Sequence, residues 1–144
     1  MKMKNITEYY SIVFSGISAR KIDYFIKEIL RIKADNIISS HFYSEISGDY
    51  EFSDNMDLCG YFSENNTASI FMKTIKFNHT YNDAVCVITS DSNDIEIDCS
   101  IAESDFDETS IPELSKWLKS LCADGIITGA EICHDAENNP LFKI

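Results

Sequence analysis

A chain of 144 residues with 44% apolar and 12% aromatic content can bury a core of its own, so one globular domain over residues 1–144 is expected. A formal net charge of −12 disfavours nucleic acid and anionic membrane as partners, since both are negative themselves. No window reaches the length of a membrane span, and the opening MKMKNITEYYSIVF lacks the apolar run of a secretory signal, so the reducing cytoplasm is the expected compartment.

In chain order, YYSIVF (Tyr9 to Phe14) has the aromatic and β-branched content of a strand, ended by Gly16. Ser18 is placed to cap a helix over ARKIDYFIKEILRIK, in which Ile22, Phe25, Ile26, Ile29 and Leu30 form one apolar stripe. IISSHFYSEIS reads as a strand with Ile38, Phe42 and Ile46 on one face. Gly48-Asp49 suggests a turn into YEFSDNMDLCGYF, where Tyr50, Phe52 and Tyr61 favour strand and Asp54-Asn55 a break. After the polar loop SENNT, ASIFMKTIKF reads as one strand and NHTYND as a connection.

The sharpest local signal follows. AVCVITS and DIEIDCSI flank DSN as the two arms of a hairpin. Side chains alternate across a strand, so Ile95, Ile97, Cys99 and Ile101 face one way and Asp94, Glu96, Asp98 and Ser100 the other. Ser110 and Glu113 fit a capping box ahead of a helix that buries Leu114, Trp117, Leu118 and Leu121. Gly125 is placed to end it in the left-handed conformation. IITGAEIC and PLFKI are short terminal strands around HDAENN. The pattern predicts an α+β fold: a mostly antiparallel sheet of five to seven strands with two helices packed on one face.

Signals for catalysis are weak. Five cysteines, an odd number without C-x-x-C spacing, argue against a disulfide framework or a zinc site. DSNDIEID has Ile95 and Glu96 where a calcium loop needs an oxygen ligand and glycine. Adjacent Cys133 and His134 point to opposite faces of a strand and do not share a metal without a bend. The chain has no glycine-rich phosphate loop and no nucleophile elbow, so no catalytic residue, metal or cofactor is expected. Five of the twelve basic residues lie between Arg20 and Lys33, but Asp23 and Glu28 share that helix, which reads as a solvated face and not a nucleic-acid site.

Charge is the distinctive feature. Asp91 to Glu108 holds eight carboxylates, and no lysine or arginine occurs from Phe77 to Ser115. Carboxylates two residues apart on a strand lie about 7 Å apart and repel by roughly 0.6 kcal/mol in water. A solvated acidic face is therefore tolerable, and it also attracts cationic partners. The candidate contacts are Asp91, Asp94, Glu96, Asp98, Glu103, Asp105, Asp107 and Glu108.

With DIEIDCSIAESDFDE as an acidic face and tyrosine- and phenylalanine-rich segments such as MDLCGYF, the chain resembles the small acidic immunity proteins of bacterial toxin–immunity systems, of the contact-dependent inhibition or colicin type. The resemblance implies a cytoplasmic inhibitor that binds a cognate basic toxin domain, often a nuclease, one to one and without a cofactor. A regulatory or adaptor module and a small enzyme are the alternatives. Oligomeric state and aromatic anchors are left open by the residues.

Overall fold

The computed structural model describes residues 8–44, 48–77 and 79–144. Its centre is an eight-stranded antiparallel sheet in the order β10-β9-β1-β8-β7-β4-β2-β3. The strands are β1 (Tyr9–Ser18), β2 (Ile37–Ser44), β3 (Gly48–Tyr50), β4 (Thr67–Met72), β7 (Val85–Asp91), β8 (Asp94–Ala102), β9 (Gly129–His134) and β10 (Phe142–Lys143). The remaining two, β5 (Thr74–Phe77) and β6 (His79–Asn82), pair with each other outside it. The α+β class holds, and the sheet is one strand wider than the upper expectation.

One face of the sheet carries the core. Ile12 and Phe14 of β1, Ile95, Ile97, Cys99 and Ile101 of β8, Cys86 and Ile88 of β7, and Ile70 of β4 are all buried. Three helical pieces and the β5–β6 hairpin cover this face. The first, α1, begins as a 3₁₀ turn at Ala19–Lys21, passes through Ile22–Tyr24 and widens to π geometry over Phe25–Ile29. Its stripe of Ile22, Phe25, Ile26 and Leu30 is buried as expected. Ser18 precedes it without capping it, and its hydroxyl is buried with no hydrogen-bond partner among the described residues. The short helix α2 (Leu58–Phe62), capped by Asp57 Oδ1 accepting from the Gly60 N–H at 2.9 Å, resolves the mixed signals of the 50s. It packs Phe62 and Tyr61 against Phe42. Helix α3 (Ile111–Ala123) buries Leu114, Leu118 and Leu121, and its Trp117 stacks on Phe77.

Four further details depart from expectation. Gly16 does not end β1. It sits at φ +72° within a bulge between Phe14 and Ile17, and the strand continues to Ser18. Ile38 does not share the face of Phe42, because an irregularity between Ile37 and Ser39 shifts the register and leaves Ile38 exposed; Ile46 lies outside the described residues. The capping box at Ser110 does not close. The Ser110 hydroxyl donates to the Asp107 carbonyl, and Asp107 caps an extra turn by accepting from the Thr109 N–H at 2.9 Å. Gly125 does end α3 as expected, at φ +73°.

The fourth departure reshapes the fold. ASIFMKTIKF is not one strand, and NHTYND is not a plain connection. Together with β7 they form one long ribbon whose register runs without slip from Thr67↔Thr89 to Phe77↔His79. At its middle, the Met72 N–H donates to the Ala84 carbonyl and the Asp83 N–H to the Lys73 carbonyl. Asp83 adopts φ +54° there, and burial switches from Ala68, Ile70 and Met72 to Ile75 and Phe77. The ribbon thus leaves the sheet and lays Phe77 and Tyr81 over the core beside Phe14, Trp117 and Phe106.

At Gly16 a Cβ would run into the Thr128 hydroxyl as well as adopt a left-handed backbone. We predict that Gly16→Ala lowers stability by about 2 kcal/mol. Urea unfolding checks this, and an unchanged midpoint would show that the bulge relaxes freely.

Candidate functional site

The opposite face of the sheet has no covering layer among the described residues. Side chains that alternate with the core project there and are exposed or half-buried: Ser11, Val13 and Ser15 from β1, Glu96, Asp98 and Ser100 from β8, Val85, Val87 and Thr89 from β7, and Ser69 and Phe71 from β4. The ladder sets them in rows. One row reads Glu131, Val13, Asp98, Val87, Ser69, His41 across five neighbouring pairings, and a second places Ser100, Val85 and Phe71 side by side.

The expected alternation of β8 is present: Asp94, Glu96 and Asp98 share this open face. Asp91 and Asp94 are register partners at the end of the β7–β8 hairpin. Ser92 and Asn93 form its turn with φ of +53° and +68°, the geometry that matches strand twist in two-residue hairpins. Glu96 accepts a long 3.5 Å hydrogen bond from the Ser15 hydroxyl. Asp91, Asp94, Glu96 and Ser15 rim a shallow cavity of about 280 Å³ that includes Gly16 and Thr89, and Asp98 lies outside it. Among the described residues, none of the four carboxylates lies within ion-pair distance of a lysine or arginine.

Asp98 differs from its neighbours. It is half-buried between Val13 and Val87, and its Oδ1 accepts no hydrogen bond among the described residues. Burial raises its carboxyl above the usual carboxylate range, a hydrogen bond from Ser11 pulls it partly back, and the nearby Asp135 charge adds to the rise.

The other four candidates lie beyond the far end of β8, so that Glu103 is about 30 Å along the strand from Asp94 and about 16 Å from Asp98. Glu103 and Asp105 sit in a 3₁₀ turn, and Asp107 and Glu108 lead into α3. The eight carboxylates therefore form two groups and not one patch. Asp107 is held below the usual range by the Thr109 hydroxyl and N–H. Glu103 accepts from His134 Nε2 at 2.6 Å, with Glu8 on the same nitrogen at 3.6 Å. Glu103 and His134, with Tyr10, Glu108, Glu137 and Leu141, line a cavity of about 170 Å³ in which three glutamates face one imidazole.

Glu8, Glu103 and His134 are close enough to be tested as a metal site. A ligating imidazole donates its other N–H to an acceptor. Here the Ala136 N–H points at His134 Nδ1 from 3.1 Å, so Nδ1 accepts and the proton lies on Nε2, toward Glu103. The arrangement fits a histidine–carboxylate bond better than a metal. Cys133, next in sequence, turns the other way, toward Glu131.

The apolar members of the open face, Val13, Val85, Val87, Phe71 and Tyr43, escaped the sequence reading. Phe71 is 39%, Val87 40% and Tyr43 58% exposed. The signal was present in AVCVI: an uninterrupted apolar run in an antiparallel strand puts apolar groups on both faces.

The Glu103 hydrogen bond lifts His134 above its ordinary pKa of 6.5, against the opposing effect of burial, with the charges of Glu103, Glu8 and Asp135 adding to the rise. A raised folded-state value means stabilisation fully present below the unfolded value and lost as pH rises through the folded one. We predict that the urea midpoint of wild type exceeds that of His134→Gln most at pH near 6 and that the gap closes toward alkaline pH. A gap that widens with pH would reverse the assignment.

With this geometry in place, comparison with known proteins yields two findings. The model of the family described as PABL017 Cdi1I immunity protein matches residues 8–141. A chain from the crystal structure of the toxic C-terminal tip of CdiA from Pseudomonas aeruginosa in complex with its immune protein superposes with a TM-score of 0.70 at 16% identity, covering 96% of this chain and 95% of that one. At that identity the likeness is one of fold. No curated protein matches the sequence.

Proposed function

The chain belongs to the family of PABL017 Cdi1I immunity proteins, and from that premise we propose that it neutralises the toxic tip of a CdiA protein by docking it on the open face of the sheet. Family membership supports the class of partner. The location rests on one observation: an uncovered sheet face on which unpaired carboxylates border exposed Phe71, Val87 and Tyr43.

The two kinds of side chain do different work in this reading. Asp91, Asp94, Glu96 and Asp98 attract a basic toxin surface and speed encounter. The aromatic and aliphatic row supplies the desolvated contact that holds the complex, as buried aromatics commonly do. Asp98 links them, since it is a half-buried carboxylate set between Val13 and Val87, and an approaching cation offsets the cost of its charge. Glu103, Asp105, Asp107 and Glu108 form a second acidic group, and the cavity beside His134 has room for one cationic side chain of the partner.

A nuclease fits the inferred charge of the partner, because a cleft built for phosphates is cationic. Inhibition then consists of binding: the acidic face takes the place of substrate and catalyses nothing. Action in the cytoplasm, where an incoming nuclease meets its target, follows from the same reading. Among the described residues no helix is long and apolar enough to cross a membrane.

We predict that Asp94→Asn, Glu96→Gln and Asp98→Asn together slow association with the cognate toxin tip by about tenfold or more at low salt and flatten its salt dependence. Phe71→Ala with Val87→Ala is expected chiefly to speed dissociation. Surface plasmon resonance separates the two effects. Wild-type kinetics in both variants would move the interface off this face.

A further inference from the structure

On the covered side of the molecule, away from the acidic face, lies a cavity of about 610 Å³. Its walls carry the opposite charge. Lys27 from α1, Arg31 and Lys33 from the segment after it, and Lys76 from β5 converge there, with only Glu28 and Asp35 as acidic members. Four of the twelve lysines and arginines of a chain with 24 acidic residues thus face one cavity. Lys27 has a partner in Asp23 at 3.2 Å. Among the described residues, Arg31, Lys33 and Lys76 have no ion pair within 4 Å.

Two further features mark the cavity. Arg31 has φ +55°, a left-handed backbone that costs a non-glycine residue about 1–2 kcal/mol. Thr74, Thr80 and Asn36 add uncharged hydrogen-bonding groups to the lining, and no aromatic or aliphatic residue takes part. The site therefore offers charge and hydrogen bonds to oxygen atoms but no surface on which a base or ring would stack. Its volume is that of a small-molecule site. A long nucleic acid would meet the repulsion of the whole −12 chain, whereas a compact anion meets only the local cations.

We propose that this cavity binds a small oligophosphate anion, with Arg31 supplying a planar fork to the phosphate oxygens and Lys33 and Lys76 acting as point charges. The site stands on the face of the sheet opposite to the toxin-docking surface, and it remains open when that surface is occupied. It does not depend on the docking assignment.

Titration calorimetry with inorganic tripolyphosphate at about 0.15 M salt tests it, with citrate as a carboxylate probe of similar charge. The expected result is saturable one-site binding with Kd below ~1 mM, weaker for citrate, and reduced at least about tenfold in Arg31→Gln/Lys76→Gln. Arg20→Gln/Lys116→Gln, which removes the same charge from exposed positions outside the cavity, is expected to leave binding unchanged. Thermal melts of both variants confirm folding. Absence of saturation up to ~10 mM, or an equal loss in the two double variants, overturns the site. Equal affinity for citrate overturns the phosphate assignment, and competition between tripolyphosphate and the toxin tip overturns the separation of the two surfaces.

Discussion

Ile12 and Phe14 of β1 lie beside Ile97 and Cys99 of β8, which lie beside Cys86 and Ile88 of β7, and all six are shut from solvent on one side of the sheet. Strand period makes this packing consequential. Every side chain committed to that layer sends its neighbours to the other side. The register of the central strands cannot slip by one residue without driving Asp94, Glu96 and Asp98 into the core, so hydrophobic burial on one face positions the charges on the other. Placement of the acidic row is a by-product of the strongest force in the molecule.

The electrostatic organisation follows the same division. Among the described residues, Asp91, Asp94, Glu96 and Asp98 on the open face have no lysine or arginine within ion-pair distance, while Arg31, Lys33 and Lys76, also unpaired, gather between α1 and β5. The sheet separates this acidic row from that basic cavity, and neither neutralises the other. A row of exposed carboxylates costs only fractions of a kcal/mol in salt water, so the fold tolerates this polarity without a compensating network. Asp98 is the exception, because Val13 and Val87 shield it from solvent and raise the cost of its charge.

What could be read from the residues was whatever depended on local periodicity. The β7–β8 hairpin, the stripe of α1, the buried face of α3 and the left-handed stop at Gly125 are all written in spacings of two, three or four. What could not be read depended on tertiary geometry. Gly16 looks the same as a terminator or as a bulge until Thr128 is seen beside it. A capping box and an upstream Asp107 cap differ only in how the chain enters the helix. The eight candidate carboxylates are continuous in sequence but divide into two groups because β8 is extended and carries them apart at about 3.3 Å per residue. The apolar half of the open face went unread because valine in a strand is ordinarily assigned to the core.

The ribbon that begins as β4 and β7 and ends as β5 and β6 gives one pair of chain segments two mechanical roles. Below Lys73 and Asp83 it is part of the sheet, bonded on both sides through β2 and β8. Above them it keeps its internal ladder, and ring stacking of Phe77 on Trp117 and of Tyr81 on Phe106 holds it against the body. Lifting that outer arm breaks aromatic contacts but leaves the ladder of the arm itself intact. The two roles meet where Asp83 turns left-handed, with one arm of the ribbon packed over Phe14 and the other bonded into the sheet.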